Sequence, residues 1–187
     1  MTSPLPSDPA PHGTAMSAAA YGASRATLWT GVSVLITDTA GRILLQRVTY
    51  RTTRLLPGGA VDAEEAPTWA AAREVLEELA VHLPISRALA VDWIPSTTPG
   101  FDPATRFPGE MIYVFDGGTW DSEQIAAIRL RQGEIEGVDF VDPGDLPALM
   151  APGNARRALA ALHARDIDGA VVLEDGRPIT PPPPPPS

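Results

Sequence analysis

Three glutamates, Glu74, Glu77 and Glu78, stand three and four residues apart in the Ala- and Glu-rich segment 66–79. In a helix that spacing projects all three from one side. Like charges so placed repel by roughly 0.2–0.5 kcal/mol per pair even when exposed. Arg73, four residues before Glu77, can relieve one of them; the others have no partner within the helix. A divalent cation would turn the repulsion into ligation. Carboxylates are hard oxygen donors suited to Mg²⁺ or Mn²⁺, and without His or Cys in the cluster zinc is disfavoured. A solvated acidic helix face would show the same spacing, so the surroundings have to decide.

Those surroundings are a strand–turn–helix arrangement. The run 27–37 (TLWTGVSVLIT) is β-branched and aromatic and reads as a strand, Asp38–Gly41 as a turn, and Ile43–Val48 as the returning strand. Leu55 and Leu56 lead into Pro57-Gly58-Gly59, a strong breaker, and Pro67 suits the first turn of the following helix. Further strands are expected at 89–94, 111–115 and 138–141, and helices at 122–128 and 154–165, with a long four-proline loop at 95–108. Trp29, Trp93 and Tyr113 fall in strands, where core packing is the favoured reading and stacking on a base the other; Trp69 and Trp120 read as packing residues. Strands mixed with helices in one domain suggest an α/β (α+β) fold. Residues 1–25 read as a disordered tail, 26–175 as the folded domain and 176–187 as a second disordered tail containing Pro181–Pro186.

The composition limits the partners. The 187 residues carry 23 acidic and 14 basic side chains, a formal charge of −9, and every basic side chain is Arg. Such acidity argues against a nucleic acid polymer as partner. It does not argue against a small phosphate compound, which needs only a local site. No cysteine is present, which excludes disulfides and a thiol nucleophile. No apolar run approaches a membrane span and no secretory signal is visible, so the expected setting is cytoplasmic with no membrane partner. Six acids, Asp62, Glu64, Glu65, Glu74, Glu77 and Glu78, crowd a 17-residue window whose only base is Arg73.

Gly59, then five residues, Glu65, then seven, Arg73-Glu74-Val75-Leu76-Glu77-Glu78-Leu79, then Ala80-Val81: this resembles the Nudix box of the Nudix hydrolases, G-x5-E-x7-R-E-U-x-E-E-x-G-U, where U is a large aliphatic residue. The departure is Ala80 in place of the final glycine. Glycine there suits a left-handed helix end, and alanine in that conformation would cost about 1–2 kcal/mol. The expectation is therefore that the helix runs slightly further toward Pro84.

The resemblance implies a Nudix-like α/β/α sandwich with a mixed sheet. It implies Glu74, Glu77 and Glu78 as ligands of Mg²⁺ or Mn²⁺, with the carbonyl of Gly59 adding another, and a structural pairing of Glu65 with Arg73. Family members often use one more glutamate before a late strand as ligand or general base; Glu134 fits that place, with Glu136 and Glu110 as weaker candidates. Catalysis would then rest on Glu77, Glu78 and Glu134. Arg47 and Arg54 are candidates for contacting substrate phosphates. The implied activity is metal-dependent hydrolysis of the diphosphate bond of a nucleoside diphosphate linked to a moiety X, either a nucleoside triphosphate or a nucleotide sugar. Nudix enzymes are often homodimers, although no segment of the sequence marks an interface. The alternative is a non-catalytic Nudix-like domain that binds nucleotides or regulates. Such domains typically lose box carboxylates, and this chain keeps them all. A Nudix-fold isomerase would rely on a cysteine.

Overall fold

The computed structural model describes residues 16–131 and 133–179. The expected tail before residue 16 and the proline run 181–186 lie outside the described residues. In chain order the elements are α1 (Ala18–Ala23), β1 (Trp29–Asp38), β2 (Ile43–Val48), α2 (Pro67–Leu79), β3 (Ala88–Ile94), β4 (Glu110–Trp120), α3 (Ser122–Ala126), β5 (Ile135–Val141), α4 (Leu146–Leu149), α5 (Pro152–Asp166), β6 (Val171–Glu174) and β7 (Arg177–Pro178).

The strands form one seven-stranded sheet in the order β5-β2-β1-β4-β3-β6-β7. It is mixed: β1 runs parallel to β4 and antiparallel to β2, while β3 is antiparallel to β4 and parallel to β6. Val32, Val34 and Ile36 leave β1 on one face and Leu35 on the other, and all four are buried. A strand buried on both faces belongs inside a sheet covered on both sides. On one face α2 buries Ala70, Ala71, Val75 and Leu79 against Val32, Val34, Ile36, Leu44 and Phe115. On the other, α5 lays the alanines 155, 158 and 161 against Leu35, Leu45, Leu89 and Val114. The result is the expected α/β/α sandwich with a mixed sheet. Among the described residues no helix is long and apolar enough to cross a membrane.

Several local expectations are corrected. The short helix α1 lies within the segment read as a tail, capped by Ser17 and with no buried residue. β6 and β7 were not anticipated, and β7 lies beyond residue 175; a four-residue strand and its two-residue partner are too short to display a period. Trp29 and Trp93 are not core residues but stand 44 % and 40 % exposed at the strand ends, and Trp69 is 76 % exposed on α2. Trp120 does pack, with its indole N–H donating to the Gly117 carbonyl at 2.9 Å.

Helix α2 does not run on past the box. It ends at Leu79, and Ala80 takes the left-handed conformation, φ 57° and ψ 32°, with its N–H donating to the Leu76 carbonyl. The alanine thus carries the strain that glycine would avoid. Ala80→Gly should raise stability by about 1 kcal/mol, or a melting shift of roughly 2–4 °C. Thermal denaturation of the two chains checks this; an unchanged or lower midpoint would contradict it.

Candidate active site

The site begins where β1 and β2 part. They pair at Thr37 and Ile43, then diverge, and the segment 55–61 fills the wedge between them. Gln46 and Leu55 exchange backbone bonds, Val34 N–H donates to Pro57 O, Val32 N–H to Gly59 O, and Val61 N–H to Thr30 O. The Pro-Gly-Gly turn is thereby stitched into the sheet as an extra rung. Gly58 sits at φ +142°, where a Cβ would strike the Val32 carbonyl, so only glycine fits. A Cβ on Gly59 would lie 2.6 Å from Glu74 Oε1, so its bareness lets the carboxylate reach the turn.

Helix α2 lies over this wedge and delivers the glutamates. Glu78 is 5 % exposed. Its Oε2 accepts from Gln46 Nε2 at 2.8 Å and from Gly58 N–H at 2.9 Å. Burial pushes its carboxyl up to about 7, the two hydrogen bonds pull it down, and the charges of Glu74 and Glu134 push it up again. Glu74 is likewise raised by burial, against the pull of Arg73. Arg73 grips Glu65 with both ends of its fork, Nε to Oε1 and Nη2 to Oε2, each at 2.9 Å. It also donates to the Ala60 carbonyl at 3.0 Å and to Glu74 Oε1 at 2.8 Å. The in-helix partner read from spacing, Glu77, is the weakest of its contacts at 3.8 Å. The Arg73 hydrogen bonds hold Glu65 down at about 2, so the pair that clamps the loop to the helix stays ionised through the neutral range.

Glu134 comes to the same place. Its carbonyl accepts from Thr49 N–H at 3.0 Å. Arg131 stands between it and Glu77, 3.3 Å from each carboxylate. Three further residues belong here that the sequence did not single out. Gln46, buried inside a strand, holds Glu78. Arg131 bridges Glu77 and Glu134. Tyr50, 60 % exposed, has a hydroxyl raised by burial that senses Arg51 and then the charges of Glu134, Glu78 and Glu74. The available signal was a polar Gln46 directly after the apolar run Ile43-Leu44-Leu45.

The profile of the NUDIX domain matches residues 27–162. This chain belongs to the Nudix hydrolase family. Solved structures of the same fold include a MutT protein from Methanosarcina mazei Go1 (21 % identity, covering 75 % of this chain and 95 % of that one, TM-score 0.56). They also include an ADP-ribose pyrophosphatase from Streptococcus suis 89-1591 (17 %, 79 % and 99 %, TM-score 0.56) and a UDP-X diphosphatase (19 %, 80 % and 68 %, TM-score 0.60). A search of curated proteins gave no match. As a member of this family the chain is a Nudix-type pyrophosphohydrolase.

Not every expected Nudix site residue converges. Side chains alternate along a strand, so with Gln46 facing α2, Arg47 points to the opposite face. There it pairs with Asp139, as does Arg54 at 2.9 Å. A cavity of about 660 Å³ lies on that side, lined by Arg47, Arg51, Arg54 and the threonines 49, 52 and 53, with Glu136 at its wall. Arg47 and Arg54 are therefore not beside the box glutamates. Glu110 also lies on the α5 face, beside Gly31. The Gly59 carbonyl already accepts from Val32 N–H, which engages one of its two lone pairs.

Among the described residues no three Asp, Glu or His side chains converge as a ready metal cluster; Arg73 contacts Glu74 and Glu77, and Arg131 contacts Glu77. The donor set nevertheless fits a hard divalent ion. All donors are oxygens, and the buried Glu78 carries a charge that burial disfavours and a cation would offset.

The sign of that burial can be measured. With its folded value near 7 against an ordinary 4.5, Glu78 binds more protons folded than unfolded. Its contribution to stability is present below about pH 4.5 and lost as pH rises through 7. Glu74 shifts in the same direction. In chelator, the melting temperature of the wild-type chain should fall between about pH 5 and 7.5 more steeply than that of Glu78→Gln. Equal slopes would show that Glu78 titrates normally.

Proposed function

We propose that this chain is a metal-dependent hydrolase that cleaves the diphosphate bond of a nucleoside diphosphate linked to another moiety, a nucleoside triphosphate or a nucleotide sugar, in the cytoplasm. The observation that carries the reading is that Glu74 and Glu78 both reach one glycine turn, Glu74 beside Gly59 and Glu78 accepting from Gly58 N–H, while the next carboxylate of the same helix, Glu77, is bridged to Glu134 by Arg131. The similar folds of an ADP-ribose pyrophosphatase and a UDP-X diphosphatase support the substrate class.

In this reading Glu74, Glu77 and Glu78 hold Mg²⁺ or Mn²⁺, with the second lone pair of the Gly59 carbonyl at hand. When bound, such an ion neutralises a diphosphate and lowers the pKa of water near it. The chain's own residues do the rest. The Arg73–Glu65 clamp keeps the turn and the helix in register. Gln46 and Gly58 N–H fix the Glu78 carboxylate, so it presents its free oxygen without reorganisation. Glu134, on the rim and tethered only through Arg131, accepts the proton of the attacking water. Water adds to one phosphorus and the other phosphate leaves with the bridging oxygen. Arg131, released from its two carboxylates, can meet the negative oxygens of the substrate. Arg47 and Arg54 take no part, because Asp139 holds them on the far face.

A panel of nucleoside triphosphates and nucleotide sugars should show release of phosphate-containing product that chelator abolishes and Mg²⁺ or Mn²⁺ restores. Glu78→Gln should lower kcat/KM by roughly 10²-fold or more with little change in melting, because an amide oxygen can still accept from Gln46 and Gly58. No metal-dependent release across the panel, with Glu78→Gln indistinguishable from wild type, would leave the non-catalytic reading in its place.

A further inference from the structure

Strand direction gathers one set of residues at one end of the sheet. There β1 and β4 begin, β2 and β3 end, and β5 begins. Glu134 and Tyr50 stand at this end on the β2–β5 side. Trp29, Glu110 and the proline-rich loop 95–108 stand at it on the other side.

Trp29 and Glu110 are register partners between β1 and β4, so their side chains leave the sheet on the same face. Trp29 is 44 % exposed. It meets Phe107 edge-on at 5.3 Å, and Phe107 in turn is stacked on Phe101 at 3.7 Å. An exposed indole braced by two phenylalanines is a flat, rigid surface. Beside it Glu110 is half-buried, and its carboxylate, unpartnered among the described residues, keeps its oxygens open to solvent. A carboxylate open to solvent at one side and unengaged by the fold is free to accept from a ligand. Gly31, next on the same face of β1, leaves the space open: Glu110 Oε1 lies 2.7 Å, and the Gly59 carbonyl 3.6 Å, from where a Gly31 Cβ would stand. Glu110 is thus one residue's width from the box turn, whose other face carries Glu74.

We propose that Trp29 and Glu110 form the base subsite and that it takes a guanine-type base, stacked on Trp29, with Glu110 accepting from two adjacent N–H donors. Guanine offers such a pair on one edge, N1–H and the 2-amino group. Adenine sets a ring-nitrogen acceptor beside its one amino donor, and two acceptors repel. The subsite rests on the nucleotide reading of the carboxylate site and narrows it to guanine nucleotides.

Calorimetric titration of the full chain with GMP, IMP, AMP and ribose 5-phosphate, in chelator, tests the subsite apart from hydrolysis. GMP should bind at least about tenfold more tightly than AMP, with IMP between them and ribose 5-phosphate weakest. Glu110→Gln should bring GMP and AMP within about twofold of each other, and Trp29→Ala should weaken both by about tenfold or more. Should Glu110→Gln fail to fold, Glu110→Asp, which withdraws the carboxylate by one methylene, should show the same loss confined to GMP. Equal binding of GMP and AMP by the wild-type chain, or a folded Glu110 variant that keeps the preference, overturns the subsite. Glu110-dependent GMP binding in a chain that hydrolyses no nucleotide would leave the subsite standing and remove the catalytic reading instead.

Discussion

Glu78 sits almost wholly beneath α2, and most of the site's architecture follows from keeping a carboxylate there. A buried charge needs donors or an opposite charge. The chain supplies two donors, Gln46 from β2 and the Gly58 N–H from the turn. Each donor dictates something larger. Gln46 must face α2, which fixes the register of β2 and sends Arg47 to the opposite side. Gly58 must present its N–H upward while lying against Val32, which requires a residue without a Cβ and a turn bonded into the sheet. The two donors still leave the ionised form disfavoured, a deficit that a bound cation would offset.

Around that carboxylate the arginines are placed as separators. Arg73 is committed to Glu65 and to the loop carbonyl, so it serves geometry more than charge balance. Arg131 is different. It is half-exposed and held by single contacts to Glu77 and Glu134, and in the proposed reading a cation taking over those carboxylates would free it. In a protein whose net charge is −9, an arginine released at the moment the carboxylates are neutralised is well suited to attract a polyanionic substrate. Arginines 47 and 54 are instead paired with Asp139 on the opposite face.

The sequence disclosed what repeats with a period or sits at fixed spacing. The sandwich, its central strands, α2 and the box residues were legible because β-branched runs, a Pro-Gly-Gly breaker and helical glutamate spacing are local signals. Features that depend on neighbours far along the chain were not. The face chosen by Arg47 depends on the register of β2, which is set across the sheet. Trp29 and Trp93 looked like core residues because their strands are apolar, but each lies at a strand end that no helix covers. Gln46 and Arg131 act through partners 32 and 54 residues away. Ala80 misled differently: its low preference for the left-handed region argued for a longer helix, whereas the tertiary packing of Leu79 and Val81 holds the chain in that turn.

The two faces of the sheet divide the labour. On the α2 face lie the carboxylates, gathered on one helix because neighbouring residues of a helix can share a ligand. On the α5 face Asp92 and Arg157 form a buried pair at 2.7 Å, with Gly176 N–H completing the aspartate. That pair ties α5 to the β6–β7 turn, whereas Glu110 has no partner among the described residues and its oxygens stay open to solvent. Asp92 and Glu110 lie on adjacent strands of one face, yet only one is paired. A structural carboxylate is expected to be satisfied within the fold, as Asp92 is. Glu110, open to solvent at the sheet end where β1 and β4 begin and beside the exposed Trp29, is the carboxylate that the proposed base subsite draws on.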